Sequence, residues 1–188
     1  MKKSSVALLI IFVFVAIDQI LKIWVKTTMS LGETIPILGK WFYFYFVENE
    51  GIAFGISFGE NIGKLLLSVV RIAVAAFIIY YLFNLIKKKQ AEWIVVITFS
   101  LIIAGAFGNI IDSLFYGIFW NYAPFLYGHV VDMFYFKLFK IPNGFPFWGG
   151  QYFFPAIFNI ADACTTIGII GIVVWNKKFF VHNKELES

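Results

Sequence analysis

The chain is poor in the residues that thiol and metal chemistry require. Its 188 residues include one cysteine, Cys164, and two histidines, His129 and His182. A single cysteine excludes an intrachain disulfide framework and a thiolate metal cluster. Two histidines are too few for an ordinary His-based metal site, so no metal site is expected. Charge is scarce as well: 14% of the residues are charged, against about 25% in soluble domains. What fills the chain instead is apolar, with 61% hydrophobic and 21% aromatic residues and a mean hydropathy of +0.84. A soluble core of this size could not absorb that surface, so the chain is expected to be a single integral membrane domain over residues 1–188. It has no internal repeat of whole units and no low-complexity linker.

Four runs approach the roughly 20 residues that a helix needs to cross a bilayer. They cover about 6–25, 65–86, 93–114 and 155–175. The start resembles a signal peptide in having Lys2-Lys3 before an apolar run, but the apolar pattern resumes past Asp18 as ILKIWV and no small-residue cleavage site follows. The net charge of +4 is concentrated at the ends of the runs, in Lys2-Lys3, Lys87-Lys88-Lys89 and Lys177-Lys178. That distribution is the positive-inside pattern and not a nucleic-acid footprint. It predicts an all-α membrane fold of four transmembrane helices with both termini cytoplasmic. Loops 26–64 and 115–154 would then lie outside as a small region of β structure or amphipathic helix. The stretch WFYFYFVENEGIAFGISFG begins as aromatic alternation, which suits a strand or an interfacial segment.

Polar residues at membrane depth carry the information. AGAFGNIIDS places Asn109 and Asp112 at i,i+3, on one helix face, after small residues that let another helix approach. The last run repeats the spacing as Asn159 and Asp162. Pro155 suits a first helical turn, which would put Asp162 roughly 10 Å along the helix at 1.5 Å per residue. Asp18 and Lys22 have the i,i+4 spacing of a helical ion pair. Arg71 reads as a snorkelling or loop-supporting residue, and His129 as an ordinary interfacial one. Asp132, in GHVVDM, is a loop aspartate with apolar neighbours. Cys164 reads as a small buried residue and not a nucleophile.

This inventory offers several carboxylates and no Ser–His, Cys–His or metal constellation. Two close aspartates share a proton because they cannot both ionise comfortably. Such a pair can hydrolyse an amide, one member activating water and the other protonating the carbonyl oxygen and the leaving nitrogen. Spacing alone leaves open which two aspartates pair. The rival readings are a small transporter or proton channel, with Asp18, Lys22, Asp112 and Asp162 as a relay, and a non-catalytic scaffold that uses the N-x-x-D pairs as helix glue.

Five blocks in order resemble a known family. DQILK at 18–22, NEGIAFG at 49–55, GAFGNIID at 105–112, GHVVDM at 128–133 and FPAIFNIAD at 154–162 resemble the lipoprotein signal peptidase (signal peptidase II) family, intramembrane aspartyl peptidases of bacteria. The resemblance implies Asp132 and Asp162 as the catalytic pair. It implies Asp18, Lys22, Asn49, Gly51, Asn109, Asp112 and Asn159 as residues that hold the site and engage substrate. The implied substrate is a diacylglyceryl-modified prolipoprotein, cut just before the lipidated cysteine in the inner membrane, with the site on the periplasmic or outer side. The resemblance also implies a globomycin-type peptide inhibitor and no cofactor; the residues themselves call for membrane lipid as a partner, for no nucleic acid, and for nothing beyond a monomer. Two departures stand out. Ser113 occupies the position where many members have Arg, so Arg71 or Lys137 would have to make that residue's contacts. The stretches 119–127 and 137–151 are longer than the family minimum, enough for an enlarged aromatic cover. Trp41, Phe42, Tyr43, Phe44 and Tyr45 would form a clamp on the acyl chains.

Overall fold

In the computed structural model, residues 1–49, 60–146 and 149–175 are described. The chain runs α1 (Lys3–Thr28), β1 (Thr34–Leu38), β2 (Phe42–Asn49), α2 (Glu60–Lys87) and α3 (Trp93–Ile111). α3 continues through a π-helical turn (Asp112–Tyr116) into the short α4 (Gly117–Phe119), followed by β3 (Val130–Phe136), β4 (Ile157–Phe158) and α5 (Ile160–Val174). α1, α2 and the continuous helix Trp93–Phe119 are each long and apolar enough to cross a membrane. α5 is apolar too but has 15 residues.

The start of α5 corrects the sequence expectation. The fourth run does not become helical at Pro155. Ile157 and Phe158 pair with Tyr135 and Phe134 of β3 as a strand, and Asn159 then caps the helix, its side chain accepting from the Asp162 N–H at 2.9 Å. A side-chain cap satisfies one of the helix's orphan donors, and together with the strand pairing it overrides the preference of proline for a first turn. Asp162 therefore sits in the opening turn of α5 and not two turns into it.

The four strands form one antiparallel sheet in the order β1-β2-β3-β4. The alternating aromatics of β2 were legible as a strand because side chains at i and i+2 share a face. Phe42 stacks on Phe136 at 4.8 Å, Phe44 meets Phe134 at 5.6 Å, and Phe158 meets Phe136 and Phe134, each at 5.7 Å. A bulge between Phe44 and Val47 shifts the β2–β3 register, a device common beside active sites. Beyond it Val47 faces Asp132 and Asn49 faces Val130. In the long segment after β3, Lys140 bridges Tyr152 and Phe139 stacks on Phe153 at 4.9 Å.

Two apolar clusters lie at the two ends of the molecule. One gathers Ala7, Leu82, Val96, Phe99 and Ile103. The other joins Val25 and Met29 of α1 to Phe46, Tyr116, Val131 and Met133. Lys3 donates to the Ala91 carbonyl at 2.6 Å, so the N-terminus and the α2–α3 turn, with their lysines, share the end opposite the sheet. Asp18 and Lys22 lie on α1 between its contributions to the two clusters.

Candidate active site

α1, α3 and α5 pack closely because small residues line the seams. A Cβ at Gly108 would lie 2.6 Å from Asp18 Oδ2 and 2.8 Å from the Ala161 Cβ, so only glycine permits this approach. The carboxylate admitted there is almost fully buried, as are its partners: Asp18 is 1% exposed, Lys22 0% and Asp112 0%. Lys22 Nζ lies 2.9 Å from Asp18 Oδ2 and 2.8 Å from Asp112 Oδ2. The i,i+4 pair expected from spacing is therefore real, and α3 completes it as a triad.

Each carboxylate of the triad also fastens another element. Asp18 Oδ1 accepts from the Ala161 N–H of α5 at 2.9 Å, and Asp112 Oδ2 accepts from the Val131 N–H of β3 at 3.2 Å. Gln19 Nε2 donates to Asp112 Oδ1 at 2.9 Å, and its Oε1 accepts from the Tyr116 hydroxyl at 3.1 Å. Gln19 and Tyr116 were not singled out from sequence. Gln19 carried a usable signal, as a polar residue beside Asp18 in an apolar run. Tyr116 carried none, because the π-helical turn that rotates it inward is invisible in composition.

Lys22 also donates to Asn109 Oδ1 at 3.0 Å, and Asn159 Nδ2 donates to the same oxygen at 3.1 Å. With its oxygen held by two donors, the Asn109 amide presents Nδ2 to Asp162 Oδ1, at 2.8 Å. Asn159 is oriented in the same way. Its oxygen takes the Asp162 N–H, and its Nδ2 faces Asp132 Oδ1 at 2.7 Å and the Val131 carbonyl at 3.2 Å. Asn49 Nδ2 reaches Asp132 Oδ2 at 3.2 Å. The folded chain thus brings Asp132 and Asp162 together from β3 and α5, with Asn109 and Asn159 as the amide brackets between them. Gly51 lies outside the described residues.

Asp132 is not a solvated loop residue: it is 3% exposed. Burial, and then the nearby Asp162 charge, push its carboxyl up to about 7, against the opposing effect of the Asn49 and Asn159 donors. Among the described residues neither Asp132 nor Asp162 is in an ion pair. The pair therefore has amide partners, a retained proton near neutral pH and an adjoining cavity of about 540 Å³, lined by Asp162, Asn109, Arg71, Thr165 and Thr166 together with apolar residues of α2 and α3. The arrangement can hold a peptide carbonyl and a water between an acid and a base.

The family model for signal peptidase (SPase) II matches residues 10–177. The chain belongs to the signal peptidase II family. The chain is 44% identical over 191 aligned positions to a lipoprotein signal peptidase of Porphyromonas gingivalis, covering 92% of this chain and 83% of that one. A lipoprotein signal peptidase of Amoebophilus asiaticus is 40% identical over 172 positions, covering 85% and 72%. A solved bacterial membrane enzyme, determined by the in meso method at 2.3 Å resolution, superposes with a TM-score of 0.63 at 26% identity over 96% of this chain and 93% of that one. Family membership leaves the transport reading without support.

Other residues of this signal peptidase II chain fall as follows. Arg71, not Lys137, approaches Ser113: its Nη1 donates to the Ser113 hydroxyl at 3.2 Å, whereas Lys137 lies over the rings of Tyr43 and Tyr135. His129 Nδ1 lies 3.2 Å from Glu48 Oε2, and Glu48 also pairs with Lys26 at the sheet end of α1. The His129 N–H donates to the Tyr122 hydroxyl at 2.7 Å. Cys164 is buried and free.

Proposed function

We propose that the chain is an intramembrane aspartyl endopeptidase that removes the signal peptide from diacylglyceryl-modified prolipoproteins, cutting just before the lipidated cysteine. The observation that carries this reading is the convergence of Asp132 and Asp162, both bound by amides and, among the described residues, neither in an ion pair. Asp132 holds the shared proton. Asp162, beside the cavity, takes a proton from water as the water oxygen attacks the scissile carbonyl, and Asp132 gives its proton to the carbonyl oxygen. The tetrahedral diol then collapses: the C–N bond breaks, the nitrogen takes a proton from Asp162, and Asp132 recovers one from the diol. Asn109 and Asn159 hold the two carboxylates in place through this exchange.

The lysine-bearing end of the molecule is assigned to the cytoplasm by the positive-inside rule, which puts the sheet and the aspartates at the outer face, where a lipid-anchored cleavage site lies. The stacked aromatics of β2, β3 and β4 suit an interfacial clamp for acyl chains. The chain acts as a monomer, and a globomycin-type cyclic peptide is the expected inhibitor. The test is to express the protein with a diacylglyceryl-modified prolipoprotein and follow signal-peptide release by gel shift in wild type, Asp132→Asn and Asp162→Asn. Wild-type cleavage with none in either variant is expected. Full activity in either variant would sink the assignment.

A further inference from the structure

We propose that Arg71 is a substrate-binding residue whose guanidinium takes the backbone carbonyls of the peptide segment entering the cavity between α2, α3 and α5. The inference rests on the peptidase reading above and adds a binding residue to it. An arginine within an apolar span is expensive, about 2.5–3.5 kcal/mol on insertion scales, and by default faces a bundle interior or a cavity. Arg71 follows that rule. It lies on the same stripe of α2 as Ser68, Ala75 and Leu82, which are 3%, 3% and 0% exposed, and it lines the cavity beside Asp162 and Asn109. Snorkelling, the sequence expectation, does not describe it.

Its partners leave it unspent. Among the described residues its one hydrogen bond is to Ser113 Oγ, and it forms no ion pair. The Ser113 hydroxyl gives its proton to the Asn109 carbonyl at 2.9 Å, so it turns a lone pair to Arg71 Nη1 and fixes the plane of the guanidinium. A guanidinium carries five N–H donors in a rigid fork, and most of these remain for a ligand.

The cavity says what that ligand is. Val70, Val74, Ile78 and Ile102 make most of its wall apolar, while Arg71, Asn109, Asp162, Thr165 and Thr166 bring polar groups to it. Those residues suit an apolar peptide that must be unwound where it is cut. An unwound peptide at membrane depth exposes carbonyls that no water satisfies, at a cost of several kcal/mol each. Arg71 can take two of them at once, next to the carboxylate that activates water.

The test uses the purified full chain in detergent micelles with a diacylglyceryl-modified prolipoprotein. Arg71→Gln and Arg71→Lys are each expected to raise KM by about tenfold or more while kcat changes less, since lost hydrogen bonds to an ionised donor act mainly on binding. Affinity for the same substrate, measured with Asp132→Asn as a non-cleaving background, should fall in parallel when Arg71→Gln is added. The thermal midpoints separate binding from folding. Wild-type KM and affinity in the folded fraction of both Arg71 variants would overturn the proposal, whatever the midpoints do. Cleavage by Asp132→Asn would overturn the catalytic pair instead, and KM in the wild-type background would still decide the role of Arg71.

Discussion

Two sets of buried carboxylates lie next to each other in this molecule, and they are treated in opposite ways. Asp18 and Asp112 share a lysine that has no solvent exposure. Asp132 and Asp162 have asparagines. Each of the first two is held by the lysine and by a backbone N–H of another element, and so fastens α1 to α5 or α3 to β3. Neutral amide donors orient a carboxylate without supplying a counter-charge, and burial pushes the Asp132 carboxyl up to about 7 in spite of them. Asn109 touches both sets, accepting from Lys22 and donating to Asp162, and so links the fastener to the amide-bound pair.

The largest effect expected is at the amide-bound pair. Asp132→Asn and Asp162→Asn should each lower the cleavage rate by about 10³-fold or more, consistent with loss of an acid or base partner, with thermal midpoints close to wild type. A variant that loses stability and not rate would move that residue to the fastener side of the comparison. Lys22→Met should do the reverse. It strands two buried carboxylates and should cost about 3–5 kcal/mol, read as thermal unfolding in detergent. Replacing Asp18 and Asp112 by Asn in the same molecule should recover most of the loss, and a Lys22→Met protein as stable as wild type would remove the contrast.

Protonation sharpens the comparison next. With the Asp132 carboxyl at about 7 in the folded chain, well above its ordinary 3.8, the native state binds a proton that the unfolded state releases. Stability contributed at this site therefore falls as pH rises from about 4 to about 7. The cleavage rate should fall about tenfold per unit above pH 7 as the acid is lost. A rate flat from pH 6 to 9 would mean that Asp132 is not the proton donor. Gly108→Ala, which pushes a methyl group against Asp18 and Ala161, should cost about 1–3 kcal/mol and lower activity only through the fold. The smallest effect is at the aromatic sheet: Phe42→Ala with Phe136→Ala should raise KM by about threefold, the scale of one lost ring pair. An unchanged KM would end the clamp reading.

The helices, and the alternating strand that became β2, were legible because hydrophobic length and period-two aromatics are local signals. The polar residues of the five short blocks were legible as candidates, and Asp18, Lys22, Asn109, Asp112, Asn159, Asn49, Asp132 and Asp162 all meet in one network. Three features were not. The start of α5 was misplaced because β4 pairing with β3 is a long-range event, and a cap at Asn159 cannot be told from a turn at Pro155 by local preference. Gln19 and Tyr116 were missed because their roles depend on a helix three segments away. Arg71 was named with Lys137 as a substitute for the arginine missing at Ser113, but residue order could not choose between the two, because the contact joins α2 to the turn after α3.

By itself the sequence determined that this chain lives in a membrane, and which family it belongs to. Those follow from residue type and order, which hold whatever the fold. Only the tertiary structure decided which carboxylates are ion-paired and which are bound by amides. That depends on which side chain long-range packing brings to each oxygen: Lys22 to Asp18 and Asp112, and asparagines to Asp132 and Asp162.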